Sequence, residues 1–271
     1  MVSSLFFTLL GAPASLVLSA PLSESANATR HAAIPDAGEL INESGRMRMM
    51  AERMGKAYAQ IALNVMPDKA HEQIVQSQKR YEDNLAFLGK GAMTPELQNR
   101  LESLAALYQK YVQALAKPAD QANVTAAHLL TDQLVAEAEK LTAAFDAQAH
   151  VSTAKIVNIS GRQRMLSQRM ARLYFAATLS GNKADTGKFR AEFKSAIALL
   201  EAAPLSSAEI KSELELAKNQ WLFFEQALLG SGDLNAALKN VATTSERLLE
   251  TMNNLTALYS KALKTQSLAS A

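Results

Sequence analysis

The chain has 271 residues, 48% of them hydrophobic and 20% charged, enough for one large domain or two small ones. A formal net charge of +2 with dispersed Lys and Arg excludes a nucleic-acid footprint. The absence of cysteine excludes a disulfide framework and a thiolate metal site. Gly and Pro are scarce, Ala and Leu are abundant, and runs of β-branched residues between turn signals are missing, which predicts an all-α fold.

The first element is an apolar run, Leu5 to Ala20, shorter than the ~20 residues a bilayer span needs. Ala26-Asn27-Ala28 follows it as an A-x-A cleavage site, so residues 1–28 read as a secretory signal peptide. The mature protein is then expected to be periplasmic and soluble.

Self-comparison sets the organisation of the remainder. Residues 42–54 (NESGRMRMMAERM) and 158–170 (NISGRQRMLSQRM) match at eight of thirteen positions, 116 residues apart. Downstream, Tyr81 corresponds to Phe193, Tyr108 to Trp221, Leu134 to Leu248 and Phe145 to Tyr259, with the offset drifting between 112 and 116. Helices have kept their register while loops changed length. Breaks fall at Pro67-Asp68, at Gly89 to Pro95 and at Lys117-Pro118 in the first half. In the second they fall at Ser180 to Asn182, Pro204 to Ser207 and Gly230 to Asp233. Each half is therefore expected to hold four helices, as unit 1 over 37–148 and unit 2 over 153–266. No breaker stands between Val124 and Ser180. Two tandem four-helix bundles joined by one long continuous helix, or one merged bundle, are both open.

The repeated motif places one arginine among small residues. At about 100° per residue, Ser44, Gly45 and Ala51 lie within roughly 60° of Arg48 on the helix, and Ser160, Gly161 and Ser167 surround Arg164 likewise. Met47, Met54 and Tyr58 form an adjoining core stripe, while Arg46, Arg53, Arg162 and Arg169 point away as solvated residues or ion-pair partners. Small side chains let another helix come close. An arginine held in such a contact is poorly solvated, and two of them ~5 Å apart would repel by ~3 kcal/mol at an effective dielectric of about 20. A planar oxyanion between them would reverse that sign, because guanidinium presents a matching fork of donors. From the residues alone, anion binding and a structural salt bridge stand level.

The two motifs resemble the signature of PilJ-type sensor domains of type IV pilus chemotaxis-like transducers. They are also similar to the nitrate-reading box of NarX/NarQ-type sensor kinases. The resemblance implies a periplasmic helical sensor in which Arg48 and Arg164 hold a small oxyanion, nitrate or nitrite by preference. Ser44, Gly45, Ser160, Gly161 and Ser167 would line that site. The first copy has Ala51-Glu52 where the second has Ser167-Gln168, and Glu52, one turn from Arg48, is expected to neutralise it. Arg164 is then the stronger candidate. The implied partners are a small anion and a membrane-bound signalling or transport protein, with a homodimer as a further option. The rival reading is an adaptor bundle whose small-residue flank receives a partner helix and binds no small molecule. His31, His71, His128 and His150 share no metal spacing, and no P-loop, G-x-S-x-G or G-x-G-x-x-G occurs. Neither enzymatic activity, a metal nor a cofactor is expected.

Overall fold

The computed structural model describes residues 35–91, 93–149, 154–205, 207–230 and 232–269. These form eight α-helices and, among the described residues, no strand. They are α1 (Ala37–Ala62), α2 (Pro67–Leu88), α3 (Pro95–Leu115), α4 (Gln121–Ala149), α5 (Ala154–Leu179), α6 (Gly187–Glu201), α7 (Ala208–Leu229) and α8 (Leu234–Ala269). The breaks expected from the sequence are the breaks observed. A continuous α4–α5 helix would run through 150–153, which lie outside the described residues, as does the segment 1–28.

Local chemistry explains the helix starts. Asp36 accepts from Glu39 N at 2.8 Å while Asp36 N donates to the Glu39 carboxylate, a reciprocal capping box that opens α1. Thr94 caps α3 through Leu97 N, with Pro95 in the first turn, and Ser207 caps α7 through Ile210 N. The α1–α2 turn is tight enough to force Asn64 and Met66 to positive φ, a conformation that costs non-glycine residues energy and persists only where packing fixes it.

The two halves share one core. α1 and α5 are the most extensively packed pair, and α1 also packs on α2 and α4, as α5 does on α6 and α8. α3 packs on α4, and α7 on α8. Arg164 meets Asn42 near one end of the central pair, and Arg172 meets Glu52 further along, so α1 and α5 run in the same direction. Met47, Met54 and Tyr58 are buried as the motif predicts, together with Met165, Leu166 and Met170. Each such apolar side chain contributes roughly 1.5–3 kcal/mol by leaving water.

Paired side chains confirm the duplication in three dimensions. Tyr81 stacks on Tyr108 with ring centroids 4.2 Å apart, and their counterparts Phe193 and Trp221 stack at 4.3 Å. The same pocket between second and third helices is filled twice by different aromatic chemistry.

Candidate functional site: a buried polar seam between the first helices

The small-residue flanks do face each other, within one chain. Ser44, Gly45, Ala51, Ser160, Gly161 and Ser167 are all buried; Gly45 lies against Arg164 of α5, while Gly161 also faces Thr256 of α8. Ser44, Ser160 and Ser167 donate their hydroxyls to carbonyls of their own helices, so as placed they act through small size and not as free donors. The glycines have a specific task. Arg48 and Arg164 fold back along their own helices, Nε donating to the Gly45 and Gly161 carbonyls at 3.3 and 3.4 Å. A Cβ on Gly45 would stand 2.9 Å from Arg48 Nη2, and one on Gly161 would stand 3.0 Å from Arg164 Nη2. A Cβ at either position would push the guanidinium out of this place.

The arginines meet. The Gly45 Cβ position also lies 3.8 Å from Arg164 Nη2, so both guanidinium groups crowd one glycine. Each reaches across to the opposite motif: Arg48 Nη2 donates to Asn158 Oδ1 at 3.0 Å, and Arg164 Nη2 donates to the Asn42 carbonyl at 3.2 Å.

Their compensation differs. Arg48 Nη1 pairs with the Glu139 carboxylate on α4 at 2.5 Å, whereas Arg164 Nη1 finds only the amide oxygen of Asn253 on α8, at 3.5 Å. Leu134 and Leu248 are 114 residues apart, and Glu139 and Asn253 keep that spacing. The second half has an amide where the first has a carboxylate. Both arginines are fully buried. Burial pushes the Arg48 pKa down while Glu139 opposes it. Burial holds Arg164 well below the usual arginine range, and Arg46, Arg48 and Arg80 press the same way against Glu43 alone. Arginine keeps its proton regardless. The direction of the shift therefore reflects the cost of holding a poorly compensated charge there.

Glu52 does not neutralise Arg48. Its carboxylate, fully buried, reaches across to α5 and binds Arg169 at 2.6 Å and Arg172 at 2.5 Å. Those two positions present two guanidinium groups to one carboxylate, while Arg48 is turned back toward Gly45 and α4. The outward arginines are ion-pair partners, but part-buried ones inside the same network. Arg46 binds Glu43 and Asn253, Arg53 binds Glu246, and Arg162 binds Glu192 and the same Glu139 oxygen that serves Arg48.

Several residues of the seam were not singled out by the motif. Arg48, Glu52, Lys56 and Gln60 form a fully buried row at four-residue steps on α1, matched on α5 by Arg164, Gln168 and Arg172. Lys56 binds Glu246 on α8 at 2.5 Å, and its counterpart Arg172 binds Asp132 on α4 at 2.6 Å. Each first helix thus anchors on the last helix of the other half. Burial works to raise the Glu246 pKa, but Lys56 and Arg53 outweigh it and hold the carboxyl at about 2. The sequence signal for this row is its i, i+4, i+8 polar spacing on a helix that is otherwise core.

Fold and seam together define an all-helical, internally duplicated bundle domain with a charged interior at its central helix pair. The chain belongs to the PilJ family, the N-terminal domains of type IV pili methyl-accepting chemotaxis transducers, whose model matches residues 35–143 and again 147–244. The family is one of periplasmic sensory domains of signalling transducers. No described helix is long and apolar enough to cross a membrane. No curated protein and no solved structure matches the chain.

Proposed function

We propose that the protein is a periplasmic sensory module that recognises a small oxyanion at its paired arginines, nitrate or nitrite by preference, and passes the signal to a membrane partner. One observation carries the reading: Arg164 is a fully buried cation with no carboxylate at ion-pair distance among the described residues, Glu43 acting on it only from further off, beside a second buried arginine. Such a charge costs several kcal/mol unless an anion compensates it. Similarity of the motif to the NarX/NarQ box supports a planar oxyanion, whose geometry suits two forks of N–H donors. Export through a signal peptide cleaved after Ala28 belongs to the same reading. Cell fractionation with N-terminal sequencing tests it, and an intact Met1 form in the cytoplasm refutes it.

The site is tested by thermal shift of the purified protein with nitrate, nitrite and chloride at equal ionic strength. A ligand at 100 times its Kd adds ~2.7 kcal/mol to the folded state. Nitrate or nitrite should raise Tm more than chloride does, and Arg164→Ala should abolish the difference. Arg162→Ala is no neutral control, because Arg162 shares Glu139 with Arg48. Arg190→Ala, in a pair with Glu225 between α6 and α7, serves instead. The adaptor reading changes its surface. The small-residue flank of α1 is filled by α5, so a partner would have to dock elsewhere, and exposed Leu222 (62%) and Phe223 (58%) on α7 offer the place. No oxyanion response in the wild-type protein leaves that reading standing.

A further inference from the structure

A cleft of about 630 Å³ lies between α2 and α8 with α1 as its floor, within the size range of small-molecule sites. Neither Arg48 nor Arg164 lines it, and the two places adjoin only through Asn253, which accepts from Arg164 and stands in the cleft wall. Met49, Met50 and Leu249 form an apolar patch at its base, beside the ion pair of Arg53 with Glu246. Gln60 lines it too, 1% exposed, and its Oε1 has no hydrogen-bond partner. Gln73 Oε1, on the α2 wall, is likewise buried and unpartnered. Buried amide oxygens left without donors are uncommon and costly.

The duplication supplies a second, independent observation. Tyr81 and Phe193 are equivalent at an offset of 112, and the same offset pairs Ser77 with Phe189. In the second half the Phe189 ring covers Arg169, 5.3 Å from the guanidinium carbon to the ring centroid. In the first half Ser77 takes that place and accepts from Arg53, the counterpart of Arg169, at 3.2 Å. On Cβ a phenyl ring is replaced by a hydroxyl, which widens the cleft at its α2 wall.

The lining states what would fill that room. Unpartnered amide oxygens call for a hydrogen-bond donor and repel a bare anion. At the rim, Lys69 and Arg247 have no ion-pair partner among the described residues, and neither do Glu72 and Glu250. The floor calls for an apolar group. We propose that this cleft is a second ligand site, for a small zwitterion with an apolar side chain: an α-amino acid of the leucine or methionine kind. Its ammonium group answers the Gln60 and Gln73 oxygens, its carboxylate answers the rim cations, and its side chain lies on the methionines.

The test is calorimetric titration of the full-length protein with L-leucine, L-methionine, 4-methylpentanoate and 3-methylbutylamine. At least one amino acid should bind, and both single-charge analogues should bind at least tenfold more weakly. Ser77→Phe, which copies the second half, should abolish binding with the helical circular dichroism spectrum retained. Gln60→Leu should weaken binding at least fivefold, and it decides the matter if Ser77→Phe fails to fold. Excess nitrate should leave the amino-acid affinity unchanged, so this site and the oxyanion site fail separately. The proposal is overturned if neither amino acid binds, if 4-methylpentanoate binds as tightly as leucine, or if Ser77→Phe and Gln60→Leu both bind as the wild type does.

Discussion

Glu139 on α4 and Asn253 on α8 hold equivalent positions in the two halves, and each stands against the motif arginine of its own first helix. One supplies a carboxylate and the other only an amide oxygen. Asn253→Glu should therefore give Arg164 the internal counter-ion that Arg48 already has, with Arg46 close enough to share it. A hydrogen bond to a charged group contributes roughly 1.5–3 kcal/mol, and a part-buried position lowers that to about 1–2. Differential scanning calorimetry should show Tm rising by a few degrees. Any response to oxyanions should disappear in the same variant, because the ligand's place is then taken from within.

Glu52→Gln should do the opposite. It leaves Arg169 and the buried Arg172 without the carboxylate that joins them, although Arg172 keeps Asp132. Removing one partner of a buried ion pair costs about 3–5 kcal/mol. Urea denaturation should give a lower midpoint with an unchanged slope. A loss below about 1 kcal/mol would mean that Glu52 contributes little to the α1–α5 contact.

Gly55→Ala should also destabilise the protein. A Cβ there would stand 2.8 Å from Arg172 Cδ, 2.9 Å from Thr131 Oγ1 and 3.0 Å from the Tyr111 hydroxyl. Alanine is the better helix former by ~1 kcal/mol, but overpacking a rigid contact typically costs about 1–3 kcal/mol. Steric cost should win at this site. The counterpart position in α5 is already alanine, Ala171, fully buried. A stability increase on thermal denaturation would show that Arg172, Thr131 and Tyr111 give way to the added methyl freely.

Acid should weaken the seam through Glu246. Its carboxyl is held at about 2, against an ordinary value of 4.5. A depressed folded-state pKa contributes stability that is complete above the unfolded value and is lost as pH falls from about 4.5 toward 2. At 1.36 kcal/mol per unit, that contribution amounts to roughly 3 kcal/mol. Glu246→Gln should remove this part of the acid sensitivity and lower stability at pH 7, since Lys56 and Arg53 lose their carboxylate. Stability curves of the two proteins should converge near pH 2.

The sequence by itself determined the duplication, the helices and the motif's place on them. Helix periodicity, caps and breakers act within a few residues, so Pro67, Thr94, Ser207 and Gly181 mark boundaries without any knowledge of what packs against them. The same locality put Arg48 and Arg164 on small-residue flanks. Tertiary structure alone decided which arginine is neutralised and by what. Glu139 stands 91 residues from Arg48, and Glu52 bridges 117 and 120 residues to its two arginines. The helical wheel offered Glu52 to Arg48 because they are one turn apart. Yet a buried carboxylate binds whichever cations the neighbouring helix brings to it, and α5 brings two. The cleft lined by Gln60 was hidden for a related reason: Ser77 and Phe189 differ by one side chain in sequence, and only the placement of α2 and α8 on either side of α1 gives that difference a cleft to open into.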